Sequence, residues 1–246
     1  MHQHLQSART STQLAGIKVY GDGASLEEFT ALHQSGTASG FTTNPTLMKR
    51  AGVTDYAGFA QALLQLIPDR PVSFEVFSDE FEQMERQARL IASWGENVYV
   101  KIPITNTKGE SSLPMVRRLA ADGIKLNVTA LLTLEQAART IDALDADTPA
   151  IVSIFAGRIA DTGLDPIPMI RAAVALTVLK PKAEILWAST REVLNIYQAQ
   201  ECGCHIITAT ADVVKKLEMA GKDLAELSLE TVAMFRRDAV AAGYEL

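Results

Sequence analysis

Lys101 stands in NVYVKIP, between Val100 and Ile102, in a run that otherwise reads as buried strand. A lysine there either reaches a rim or is buried. Burial disfavours the charged form of an amine, and an uncharged primary amine is a nucleophile for a carbonyl carbon. The plain alternative is a structural ion pair with Glu75 or Asp22. Those two carboxylates are the candidate acid and base groups. Schiff-base chemistry needs protons moved at carbinolamine formation, dehydration and C–C cleavage, and two carboxylates can divide that labour. Either is otherwise a mere counter-ion for Lys101. Arg158 and Arg191 offer forked guanidinium groups suited to phosphate oxygens, and Ser189 adds a hydroxyl donor. An isolated loop arginine is more commonly a solvated or salt-bridged surface group.

These residues recur at one place in a repeating pattern. Eight β-rich runs follow one another: IKVYGD from Ile17, GFTTNP from Gly40, VSFEVF from Val72 and VYVKIPI from Val98, then IKLNVTA from Ile124, AIVSIFAG from Ala150, EILWAS from Glu184 and HIITAT from His205. Helical spacing fills the gaps, as in Phe59, Leu63, Leu64 and Ile67, or Met84, Ala88 and Ile91. Further helices are expected over Pro114–Ala121, Leu134–Leu144, Pro168–Leu179, Glu192–Gln200 and Asp212–Leu217, with Thr133 and Asp212 as N-caps. Such alternation implies a parallel sheet covered on both faces, and eight units in 246 residues fit a (β/α)8 TIM barrel. An open doubly wound sheet would be expected to carry a glycine-rich phosphate loop. Neither G-x-G-x-x-G nor G-x-x-x-x-G-K-[ST] occurs. An extra C-terminal helix, about Leu229–Ala242, has nothing left to cover and suggests a homo-oligomer. We expect residues 15–246 to form one barrel domain behind a flexible tail, residues 1–14.

Barrel interiors normally take Val, Ile and Leu. Here Asp22, Thr43, Asn44, Glu75, Lys101, Asn127, Thr129, Ser153 and Ser189 occupy strands or strand ends. Alternation puts Tyr20 with Asp22 on one face, Ser73 with Glu75 and Phe77, Tyr99 with Lys101, and Asn127 with Thr129. If each set points inward, they converge on one pocket. That many buried polar groups cost stability unless partnered, and a functional mouth accounts for them.

Composition sets the outer limits. The chain is 48% hydrophobic and 21% charged, with net charge −6 and pI about 5.3. This argues against a general nucleic-acid binder, which needs a basic field. No apolar run approaches the ~18 residues of a membrane helix. Cys202 and Cys204 lack zinc-finger spacing and read as reduced packing residues of a cytoplasmic protein. His33 and His205 are isolated, no H-E-x-x-H is present, and neither Ser153 nor Ser189 has a G-x-S-x-G context. No metal and no cofactor are expected.

Five segments, in order, resemble the transaldolase family of class I aldolases. GFTTNPTLM (Gly40–Met48) is similar to its T-T-N-P-[ST] signature, and VYVKIPIT (Val98–Thr105) to the surroundings of its Schiff-base lysine. GIKLNVTALLTLEQA (Gly123–Ala137) is similar to its fifth strand and following helix, and SIFAGRIAD (Ser153–Asp161) and ASTREV (Ala188–Val193) to its phosphate-binding segments. The compact length fits the branch that includes the fructose 6-phosphate aldolases. The resemblance implies that Lys101 forms the Schiff base and Asp22 handles the sugar hydroxyl proton beside the cleaved bond. Glu75 and Thr129 then act through a water on the carbinolamine steps. Asn44, Asn127 and Ser153 line the dihydroxyacetone pocket, and Arg158, Ser189 and Arg191 hold the phosphate. It also implies transfer between sugar phosphates, since Glu75 and Phe155 match transaldolases, whereas the family's aldolases tend to carry Gln and Tyr. A fructose 6-phosphate aldolase releasing free dihydroxyacetone, a sugar-phosphate isomerase with Glu75 as base and Lys101 as electrophile, and a non-catalytic sugar-phosphate binder remain as rival readings.

Overall fold

Polar residues punctuate apolar strands every second position, and the backbone answers with a closed cylinder. The computed structural model describes residues 16–245. The expected tail over 1–14, with His2 and His4, lies outside the described residues. The strands are β1 (Lys18–Asp22), β2 (Gly40–Thr42), β3 (Val72–Glu75), β4 (Val98–Pro103), β5 (Leu126–Leu131), β6 (Ala150–Ile154), β7 (Ala183–Trp187) and β8 (Ile206–Ala209). All pair in parallel with their sequence neighbours, and β1 also pairs with β8. The (β/α)8 barrel read from the sequence is therefore the fold, and each of the eight runs overlaps one strand.

Alternation sorts the side chains. Val98, Val100 and Ile102 of β4 join an outer core with Phe74, Val128 and Ile185, packed beneath helical residues such as Leu63, Met84 and Ile141. Each such full burial stabilises by roughly 1.5–3 kcal/mol. The intervening positions fill the cylinder. Tyr20, Ile151, Leu186 and Ile206 make an apolar floor, with Tyr99 and Phe155 packed against it. Gly40 is required there, because a Cβ would lie 2.5 Å from the Tyr20 ring. Above this floor the lining turns polar.

The helices are α1 (Leu26–Gln34), α2 (Pro45–Arg50), α3 (Tyr56–Leu66), α4 (Phe81–Ala92), α5 (Leu113–Ala121), α6 (Leu134–Ala143), α7 (Ala156–Asp161), α8 (Ile167–Leu176), α9 (Leu194–Glu201), α10 (Ala211–Lys216) and α11 (Leu224–Ala241). Thr133 caps α6 as expected and forms a capping box with Gln136. Asp212 does not cap α10. Thr210 takes that position and Asp212 lies in the first turn, where its charge favours the helix dipole. Two short helices correct the sequence reading. GFTTNP does not continue as strand, because Asn44 caps α2 by accepting from the Leu47 amide at 3.0 Å and Pro45 opens the helix. The tail of AIVSIFAG likewise turns into α7. Phe77 departs from the inward face, standing 63% exposed beyond the end of β3.

His33 pairs with Asp69 at 2.7 Å, His205 Nδ1 accepts from the Ile185 amide, and both cysteines are buried and unpaired. These are structural roles, as the sequence suggested. No helix among the described residues is long and apolar enough to cross a membrane.

Candidate active site

Parallel strands all end on the same rim, so the polar residues at their C-terminal ends meet there. Lys101, fourth in β4, projects inward and is buried. Its Nζ donates to the Thr43 carbonyl at 3.0 Å and stands 3.3 Å from Glu75 Oε2. The two side chains are 8% and 16% exposed, so water screens the pair weakly. Adjacent registry explains the meeting, since Glu75 lies directly beside Lys101 in the β3–β4 ladder.

Asp22 ends β1 and accepts from Thr42 Oγ1 at 2.7 Å. Burial holds its carboxyl above the usual carboxylate range, while Lys101 and the Thr42 hydroxyl pull the other way. A carboxyl group poised in this manner is suited to take and return a proton.

Asn127 and Ser153 share one hydrogen-bonded line. Asn127 Nδ2 donates to Ser73 Oγ at 3.1 Å, and Ser153 Oγ donates to Asn127 Oδ1 at 2.6 Å. The chain β3–β5–β6 thereby fixes which way the amide faces. Thr129 Oγ1 is buried without a hydrogen-bond partner among the described residues. The β5–β6 register slips between Val128 and Leu131, and Ala130 takes a left-handed backbone, φ +64°. This is a β-bulge, a device that re-aims neighbouring side chains beside sites.

The arginines stand on the rim, exposed to solvent. Arg158 opens outward from α7 with its guanidinium 5.1 Å from the Phe155 ring centroid, a cation–π contact. Arg191 is not a free anchor. It pairs in a fork with Asp161, Nε to Oδ1 at 3.1 Å and Nη2 to Oδ2, which holds the Asp161 carboxyl below the usual range. Ser189, two residues before Arg191, takes a left-handed backbone, φ +64°. The Gly157 amide donates to the Ala188 carbonyl at 3.1 Å, and a Cβ on Gly157 would lie 1.6 Å from the Ser189 carbonyl oxygen. The two arginine-bearing segments are locked together at that contact.

The structure therefore pairs Lys101 with Glu75, sets Asp22 within electrostatic reach of Lys101, and joins Asn127 to Ser153. Asn44 stands apart from these contacts, its amide oxygen committed to capping α2. Sequence reasoning put Ser73 on the inward face with Glu75 but passed over Thr42 and Asp161. The alternation rule could have found Thr42. Asp161 was visible only as the third residue after Arg158.

A family model described as Transaldolase/Fructose-6-phosphate aldolase matches residues 19–246. The chain belongs to this family. Among named members of the transaldolase family, a probable transaldolase of Dehalococcoides mccartyi is 33% identical over 202 residues, covering 82% of this chain and 90% of that protein. Probable transaldolase 2 of Listeria monocytogenes is 35% identical over 204 residues, covering 82% and 88%. A probable transaldolase of Thermoanaerobacter sp. is 32% identical over 231 residues, covering 94% and 100%. The fold is shared more widely. A mandelate oxidase superposes with TM-score 0.53 at 18% identity, covering 88% of this chain and 69% of the other. The native KDPGal structure gives 0.53 at 13%, covering 88% and 96%. Membership of the transaldolase family makes the chain an enzyme of the transaldolase type, acting on sugar phosphates.

Proposed function

We propose that this enzyme moves a dihydroxyacetone unit from a ketose phosphate, with fructose 6-phosphate the expected donor, to an aldose phosphate such as erythrose 4-phosphate. The observation that carries the reading is the buried Lys101 amine set against Glu75 with Asp22 close by. The amine adds to the ketone carbon, and Glu75 with Thr129, through a water, moves the protons that turn carbinolamine into imine. Asp22 takes the proton from the hydroxyl beside the breaking C–C bond. The electron pair of that bond passes into the protonated imine, the shortened aldose leaves, and an enamine remains on Lys101. Addition to an acceptor aldehyde reverses these steps, and water then frees the new ketose. Asn44 and Asn127 hold the hydroxyls of the three-carbon unit in a pocket that Ser153 lines, and Arg158, Ser189 and Arg191 receive the phosphate. Asp161 keeps Arg191 in place until the dianion arrives. The protonated imine is the electron sink, so the proposed route calls on no metal or cofactor. Phe155 offers no hydroxyl to place a water on the enamine, which favours transfer over release.

Borohydride added with fructose 6-phosphate is expected to fix a three-carbon adduct on Lys101, located by peptide mass mapping. Without acceptor, little free dihydroxyacetone should appear. Release at the rate of transfer would instead make the enzyme a fructose 6-phosphate aldolase. An untouched Lys101 would remove the Schiff base from the account.

The same reading places the enzyme in the cytoplasm, where Cys202 and Cys204 stay reduced, and makes it a homo-oligomer. No described residue of α11 is buried, and Leu229, Val232, Phe235 and Val240 are 60–70% exposed. A second copy of the chain is the partner we assign to this apolar face. Sedimentation should give a species larger than the 26.6 kDa chain, and Val232→Asp with Phe235→Asp should reduce it to monomer. A monomeric wild type would overturn that assignment.

A further inference from the structure

The β2–β3 ladder stops one rung short, and a side chain from α3 occupies the gap. Phe41 pairs with Val72 and Thr42 with Ser73. The Phe41 and Thr43 amides donate to the carbonyls of Pro71 and Ser73 at 2.8 and 3.2 Å. In a parallel ladder the next bond would run from the Glu75 amide to the Thr43 carbonyl, and the one after from the amide of residue 45 to the Glu75 carbonyl. Residue 45 is proline and has no N–H to give. The Glu75 amide donates instead to Tyr56 Oη at 2.9 Å, and the same hydroxyl donates to the Glu75 carbonyl at 2.8 Å. One phenol oxygen thus satisfies both backbone groups on that edge of Glu75. The Thr43 carbonyl, left out of the sheet, accepts from Lys101 Nζ.

Tyr56 is well placed to hold this arrangement. It is the first residue of α3, whose cap Asp55 accepts from the Gly58 amide at 2.9 Å. Its ring meets Phe77 and Phe74 edge-on, with centroids 5.5 and 6.5 Å away.

We propose that Tyr56 is a positioning residue for the reactive lysine: by taking the backbone bonds of Glu75 it keeps the Thr43 carbonyl free to hold the Lys101 amine. The proposal rests on the Schiff-base reading of Lys101. Without the hydroxyl, the Glu75 amide needs an acceptor, and the Thr43 carbonyl is the one that the ladder offers. Lys101 then loses its anchor while the phosphate-binding rim stays as it was.

Tyr56→Phe keeps the ring and removes the oxygen. In single-turnover trapping with fructose 6-phosphate and borohydride, adduct formation on Lys101 should slow by about tenfold or more, as misplacement of a reacting group does. KM for fructose 6-phosphate should change by less than about twofold, because the anion contacts are elsewhere. Tyr56→Phe combined with Pro45→Ala supplies an amide for the Glu75 carbonyl and completes the ladder. That protein should melt close to wild type yet trap as slowly as the single variant, a split that a purely structural tyrosine would not give. Trapping at the wild-type rate in either variant would overturn the proposal. So would a double variant that fails to fold, since the completed ladder is required to hold that edge. A wild type that yields no adduct would overturn the Schiff-base reading itself, which separates the two failures.

Discussion

Lys101→Arg is expected to give a folded barrel without measurable turnover. Guanidinium stays protonated at any workable pH and forms no imine, so the first covalent step has no substitute. The charge is kept, and a longer planar donor can still meet the Glu75 carboxylate and the Thr43 carbonyl, so the buried charge pair keeps both signs. Loss of a nucleophile costs on the order of 10⁴-fold or more in kcat. A coupled assay of ketose-phosphate transfer, with a thermal melt on the same sample, checks both halves. Substantial transfer by the arginine protein would end the covalent account and return the isomerase reading, in which Lys101 acts only as an electrophile.

Asp22→Asn should separate activity from stability. Removing a group that takes and returns the proton at the breaking bond is expected to lower kcat by about 10²–10⁴-fold. Folding should respond in the other direction. Burial raises the Asp22 carboxyl above its ordinary value, so the folded protein holds that proton more tightly than the unfolded chain does. The contribution to stability is complete below the unfolded value, ~3.9, and is lost as pH rises through the folded value. The amide carries no such charge and still accepts from Thr42. The variant should therefore melt no lower than wild type at neutral pH, and its melting temperature should fall less above about pH 4. A variant that melts lower than wild type at pH 7 would mean that the charged carboxylate stabilises the fold through Lys101.

The barrel was legible because it is written in alternation. Val98, Val100 and Ile102 against Tyr99 and Lys101 announce one strand with two different faces, and seven other runs do likewise. Lys101 and Glu75 were legible as polar intrusions within such runs and Asp22 as one at a run's end, and the structure pairs Lys101 with Glu75. What failed to show was lateral. Tyr56 lies in a helix start and resembles any amphipathic aromatic, yet it touches a residue nineteen positions away. Asp161 carried no sign of its partner, since Arg191 lies thirty positions away. α2 and α7 are each six residues, too short for a helical period, and only the Asn44–Pro45 pair signalled the first. Phe77 was assigned inward by extending a two-residue alternation past the point where β3 ends.

The contact between Gly157 and the carbonyl of Ser189 has a bearing on how anions are gripped. A Cβ at position 157 would lie 1.6 Å from that oxygen, so no side chain fits between the two arginine-bearing segments. On the proposed role of those arginines, even a methyl group would prise the jaws apart. Gly157→Ala should then raise KM for donor and acceptor sugar phosphates alike, whatever their carbon count.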